Sequence, residues 1–193
     1  MKDNMRIRVV ILFAIFVLLG VLAASLFAAT TFSGKIRIQP TWAHSKVDVT
    51  TVTETFPYAL YTFTHTSGTN ADQMNLLWHE SVTISAKGTN DFDLDGLVTN
   101  AFGEALDFVD VRLLFFSASS TNAGSVNVGG GPGALEGWLA DVSDLLILKP
   151  GGVWFTCTPD TVGYSVGTNG GLRVVNTNAT GVTVTIYAGG SDD

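Results

Sequence analysis

Leu76 to Ser85 reads LLWHESVTIS. Apolar and polar residues alternate along it with the period of two that sets one face of a strand in a core and the other in solvent. Upstream the same period recurs in Lys35 to Gln39 (KIRIQ), Lys46 to Thr50 (KVDVT) and Tyr58 to Thr66 (YALYTFTHT). Downstream, strand candidates fall at residues 91–95, 110–119, 125–128, 144–149, 153–157, 163–166, 172–176 and 182–188. Turn chemistry separates them: Ser67-Gly68-Thr69-Asn70, Lys87-Gly88-Thr89-Asn90, Pro150-Gly151-Gly152, Gly167-Thr168-Asn169-Gly170-Gly171 and Asn178-Ala179-Thr180-Gly181. So many short strands predict an all-β fold, an antiparallel β-sandwich of jelly-roll type, rather than βαβ units. Ala134 to Val142 (ALEGWLADV) is the exception. Its Leu135, Trp138 and Leu139 stand at i, i+3 and i+4, the spacing of a short surface turn of helix.

Ahead of these strands lies text of another kind. Val9 to Ala29, VVILFAIFVLLGVLAASLFAA, holds no charge, Pro, Asn or Gln over 21 residues. At ~1.5 Å per residue, a helix of that length matches the ~30 Å hydrocarbon core of a bilayer. Lys2, Arg6 and Arg8 precede it, as in a signal peptide, but the run exceeds the ~7–15 residues of a usual h-region. The organisation expected is a basic leader at residues 1–8, a transmembrane helix at 9–29 and a β-sandwich ectodomain at 30–193, with Pro40 as the joint between stalk and sandwich. Three basic residues before the span against Lys35 and Arg37 after it favour a cytoplasmic N-terminus.

Charge narrows the partners. Of ten basic residues in the 193, only Lys35, Arg37, Lys46, Lys87, Arg112, Lys149 and Arg173 lie beyond the anchor, whereas Asp3 alone of seventeen acidic residues precedes it. An ectodomain this acidic repels phosphate backbones, so no nucleic-acid partner is expected. Cys157 is the single cysteine, which excludes an intrachain disulfide and leaves stability to packing or association. Its setting, VWFTCTP, reads as a buried strand position rather than a nucleophile.

Candidate chemistry mostly fails on spacing. Asp91, Asp93, Asp95 and Gly96 open an EF-hand-like D-x-D-x-D-G, but the twelfth position, where a bidentate Glu belongs, is Phe102. In a strand the three Asp side chains would share one outer face, able to accept a cation or to stay solvated. His44, His65 and His79 form neither HxH nor HExxH, so zinc has no support. No GxSxG elbow is present, and Val128 to Gly133 (VGGGPG) lacks the GK[ST] of a phosphate loop. The carboxylate pairs Glu104/Asp107, Asp107/Asp110 and Asp141/Asp144 read as solvated turns. Asn178-Ala179-Thr180 is a glycosylation sequon, meaningful only in a eukaryotic secretory pathway. No catalytic, metal or cofactor-binding residue is expected, and no enzyme.

With those residues in view, the ectodomain resembles a family of small β-rich virion structural proteins of bacteriophages and prophages. The resemblance rests on Ala71 to Leu97, Asn100 to Ser119, Val126 to Gly131, the Trp138-Leu139-Ala140-Asp141 step, Leu148 to Asp160 and Gly163 to Asn176. It implies a minor capsid, decoration or vertex role on a jelly-roll-like sandwich, with membrane lipid, other capsid proteins or copies of itself as partners. Residues 1–29 depart from that family, whose members begin near the first strand. A particle with an internal membrane would reconcile the two, the protein tethering capsid to bilayer. So would display on a cell envelope as a single-pass protein. Two other classes stay open: a cell-surface module binding glycan or receptor through Trp42, Tyr58, Tyr61 and Trp138, and a filament subunit with residues 9–29 as a helical polymer core.

Overall fold

The computed structural model describes residues 33–38, 42–47, 51–56, 61–131, 133–135, 137–139, 141, 143–166 and 170–193. The leader at 1–8, the apolar span at 9–29 and the Pro40 joint lie outside them. Among the described residues no helix is present, and hence none long and apolar enough to cross a membrane.

The described residues are all-β, and their strands pair antiparallel. Three two-stranded ribbons are formed by β1 (Ser33–Ile38) with β4 (Tyr61–Thr66), β2 (Trp42–Val47) with β3 (Thr51–Phe56), and β7 (Asp95–Thr99) with β8 (Ala105–Asp107). The first large sheet runs β12 (Val153–Cys157), β9 (Asp110–Ala118), β15 (Val182–Ser191), β5 (Leu76–Ile84). Its fifth strand, β13 (Tyr164–Ser165), pairs with the start of β9 beyond β12. The second large sheet runs β11 (Leu146–Leu148), β10 (Val126–Val128), β14 (Gly171–Asn176), β6 (Thr89–Asp93).

Alternation decides what each strand buries. Along β5, Trp78 and Ile84 face inward while His79, Ser81 and Thr83 stay exposed; along β15, Val182, Val184, Ile186 and Ala188 face inward. From the second sheet Val126, Val128, Leu172 and Val174 join them in one apolar cluster. Each such side chain taken fully out of water contributes ~1.5–3 kcal/mol. Asn176 ends β14 inside this core and ties the two sheets together, its amide donating to the carbonyls of Ile84, Ser85 and Thr180.

Three expectations are corrected, the first being Asp110, expected on a solvated turn but 4% exposed at the start of β9. Among the described residues of 134–142 no helical turn is present: 137–139 and 141 are bends, and Ala134 bridges Gly171 instead. Gly133 and Gly137 take φ of 66° and 84°, outside the helical region, while Leu135 and Trp138 reach the core from an irregular loop. Residues 91–95 are not one strand. Leu94 turns between β6 and β7, fully buried, so the three Asp side chains share no row. Strands β3, β7 and β8 were not anticipated, and they sit in text whose alternation is broken by Glu54, Gly96 and Glu104.

Candidate binding surface

A sheet with one solvated face alternates apolar-in and polar-out. The outer face of the five-stranded sheet breaks that rule. Cross-strand pairing aligns Phe155, Phe115, Tyr187 and His79 in a row that crosses β12, β9, β15 and β5. The Phe115 and Tyr187 rings meet edge-on with centroids 5.5 Å apart, and Tyr187 lies 4.4 Å from the His79 ring. Leu113 and Cys157 flank the row on one side. Hydroxyl residues flank it on the other: Ser117 opposes Thr185, which hydrogen-bonds Ser81 at 3.2 Å.

The β1–β4 ribbon walls this face. Phe63 packs on Phe155 with centroids 5.9 Å apart, and Lys35 and Ile36 complete a cleft of about 550 Å³ over Leu113, Phe115 and Tyr187. That volume lies within the ~300–1,000 Å³ typical of ligand pockets. Lys35 is the only charged residue among those lining it. The cleft is therefore an aromatic floor with hydroxyls on one side and a single cation on its wall, suited to an apolar group accompanied by an anion.

Under the ribbon, His65 is buried and its Nε2 lies 3.1 Å from Cys157 Sγ. Burial, reinforced by the Asp72 carboxylate, pushes the Cys157 thiol up to about 11. Burial also lowers the His65 pKa, opposed by Asp72 and aided by Arg112. At neutral pH the pair is a protonated thiol sharing a hydrogen bond with a neutral imidazole, with roughly one thiolate in ten thousand. Such a thiol is not poised for attack. His65 Nδ1 is buried with no hydrogen-bond partner.

The other singled-out residues are put to local use. Asp91 receives a fork from Arg173, Nε to Oδ1 at 2.6 Å and Nη2 to Oδ2 at 2.8 Å, and this holds its carboxyl below the usual range. Asp93 accepts the backbone N–H of Asp95. Asp141 accepts the N–H and hydroxyl of Ser143, which lower its pKa. Asn178 donates to Ser125 O and Asn176 Oδ1, so the amide a glycan would need is already engaged. Among the described residues no three His, Cys, Asp or Glu side chains converge as a metal site would require. Trp138 is in the core, 5.5 Å from Phe116 and edge-on to Trp154, and cannot serve as a glycan platform. Tyr58 and the side chains of Trp42, His44 and Tyr61 lie outside the described residues.

Sequence reasoning did not find Lys35, Phe115, Phe155 or Tyr187. A signal for Phe115 was present: Leu113-Leu114-Phe115-Phe116 is apolar at inward and outward positions alike, which a half-solvated strand would not be.

No family model matches the chain, and no curated protein matches it. Among solved structures, a crystal structure of PirA aligns at 17% identity over 57% of this chain and 92% of that one, with a TM-score of 0.34. A likeness that slight bears on neither fold nor function.

Proposed function

We propose that this chain is a non-enzymatic, membrane-anchored structural protein of a virus or phage particle. In this reading residues 9–29 sit in the bilayer and residues 30–193 form a jelly-roll-like sandwich that holds capsid proteins or further copies of itself. The observation that carries it is the outer face of the five-stranded sheet. An aromatic row, with Val153 59% and Leu77 38% exposed in the lines that flank it, is surface that water disfavours and a protein neighbour would cover. The resemblance of residues 71–176 to virion structural proteins points the same way. Quantitative mass spectrometry of purified particles tests it: the expected result is a fixed, stoichiometric copy number, retained until the membrane is dissolved. Recovery from host membranes alone would end the reading.

The aromatic row also favours recognition of a glycan or receptor at a cell surface. Against a sugar, Phe115 and Tyr187 meet edge-on and offer no common plane for a ring to stack on. A glycan array probed with the full-length chain separates the two readings.

A further inference from the structure

Among the described residues, the two most exposed large apolar side chains belong to one hairpin. Phe102 is 77% and Leu97 75% exposed, both on the β7–β8 unit. Neither exposure is accidental to the backbone. Between β7 and β8 the register passes from Asp95 opposite Asp107 to Val98 opposite Leu106, so Gly96 and Leu97 have no partner. Bulges of this kind re-aim side chains, and Gly96 accepts the required φ of 85° without strain. Val98 and Leu106 stay in the core and fix the base. At the tip, Asn100 Oδ1 accepts the N–H groups of Phe102 and Glu104 at 2.9 and 3.0 Å, while its Nδ2 donates to Glu104. The result is a hairpin whose backbone holds both apolar side chains in solvent.

Its charge is one-sided. Asp95, Glu104 and Asp107 lie on the unit, which has no Lys or Arg. Asp95 and Asp107 stand directly opposite each other, a like-charge pair that costs stability until a cation approaches. The cleft on the five-stranded sheet is the complement: apolar, aromatic, with Lys35 as its only charge and no carboxylate in its lining. Addition of a strand to the long edge of that sheet is discouraged by Glu80, exposed on the core-side register of β5.

We propose that the Leu97/Phe102 knob of one copy of this chain seats in the Phe115–Phe155–Tyr187 cleft of another, with Glu104 of the first meeting Lys35 of the second. Knob and cleft are different surfaces, so the contact is head-to-tail and repeats. It closes a ring or extends a row of copies. The inference deepens the structural role above by naming the partner as a second copy, and its test is independent of particle incorporation.

The experiment uses the full-length chain in detergent, with a photo-crosslinking phenylalanine analogue at position 102 and peptide mapping of the adducts. The expected adducts join position 102 of one copy to residues lining the cleft of another. Adducts to detergent, or to residues away from the cleft, overturn the proposal. In sedimentation velocity, Phe102→Asp weakens association by roughly tenfold or more, as loss of an aromatic anchor does. Val162→Asp, exposed on another loop, leaves it unchanged. Lys35→Glu and Glu104→Lys each weaken association and the double exchange restores it. An unchanged Phe102→Asp, or a double exchange as weak as either single one, also overturns it. Particles that hold the protein at fixed copy number but yield no such adduct would leave the structural role standing and remove this contact.

Discussion

Two Arg–Asp forks in this protein share their geometry and little else. Arg112 grips Asp110 with Nε to Oδ1 at 3.0 Å and Nη2 to Oδ2 at 2.8 Å; Arg173 grips Asp91 almost identically. The side chains of the first are 1% and 6% exposed, those of the second 31% and 56%. Arg112 spends every remaining N–H on carbonyls, of Asn70, Gln73 and Thr161, and Asp110 also accepts the N–H and hydroxyl of Ser191. One guanidinium thus gathers the loop before β5, the loop before β13 and the end of β15. Arg173 fastens β14 to its neighbour β6 and nothing more. A fork's bond lengths do not reveal its worth, because solvent decides how much of the Coulomb energy survives.

Breaking the buried fork should have the largest effect. Arg112→Met leaves the buried Asp110 without its counter-ion, with only Ser191 to hydrogen-bond it, and urea unfolding should show a loss of ~3–5 kcal/mol. The double variant Asp110→Leu/Arg112→Met should be less damaging than Arg112→Met alone. If the single variant unfolds at the parent midpoint, the contrast between the forks fails. The neighbouring backbone offers a second break. The register of β15 on β9 slips between Gly189 and Gly190, leaving Arg112 without an opposite residue, and a Cβ on Gly190 would collide with the Asp110 carbonyl. Gly190→Ala should therefore cost ~2–3 kcal/mol by the same measurement.

His65 sharpens the comparison through pH. Its folded pKa lies below the ordinary 6.5, so the unfolded chain takes up the proton first as pH falls. Its stabilising contribution is complete above pH 6.5 and is lost as pH falls from there through the folded value. Melting temperature should drop on acidification from pH 7 to pH 5, and His65→Leu should flatten that slope. The smallest effect is expected at the exposed fork. Arg173→Ala should move the melting temperature by no more than about 1–2 °C, and 0.5 M salt should erase the difference. The clearer readout is carboxyl titration by NMR, where Asp91 should return from its lowered pKa to the ordinary range.

These contrasts mark how far the primary structure can be read. Residues 76–85, 172–176 and 182–188 announced their strands because alternation over several residues reports a face. The ribbons were harder. β8 is three residues long and β7 carries a bulge, and a period of two cannot show itself in so short or interrupted a run. The 134–142 helix failed for a related reason: Leu135 and Trp138 are apolar because they reach a core, and an irregular loop can satisfy a spacing of three as readily as a helix. The candidate surface was almost wholly hidden. Phe155, Phe115, Tyr187 and His79 are scattered over more than a hundred residues and become one row only when four strands pair in register.

What the sequence determined by itself is local: an apolar run at 9–29, the acidic, strand-forming character of the residues after it, and spacings that match no metal or nucleophile motif. Tertiary structure alone decided which of two chemically equal Arg–Asp pairs is buried, which aromatics face out, and that one hairpin holds Leu97 and Phe102 in solvent. The physical reason is that periodicity is a property of neighbours along the chain, whereas exposure and cross-strand pairing are set by residues far apart in it.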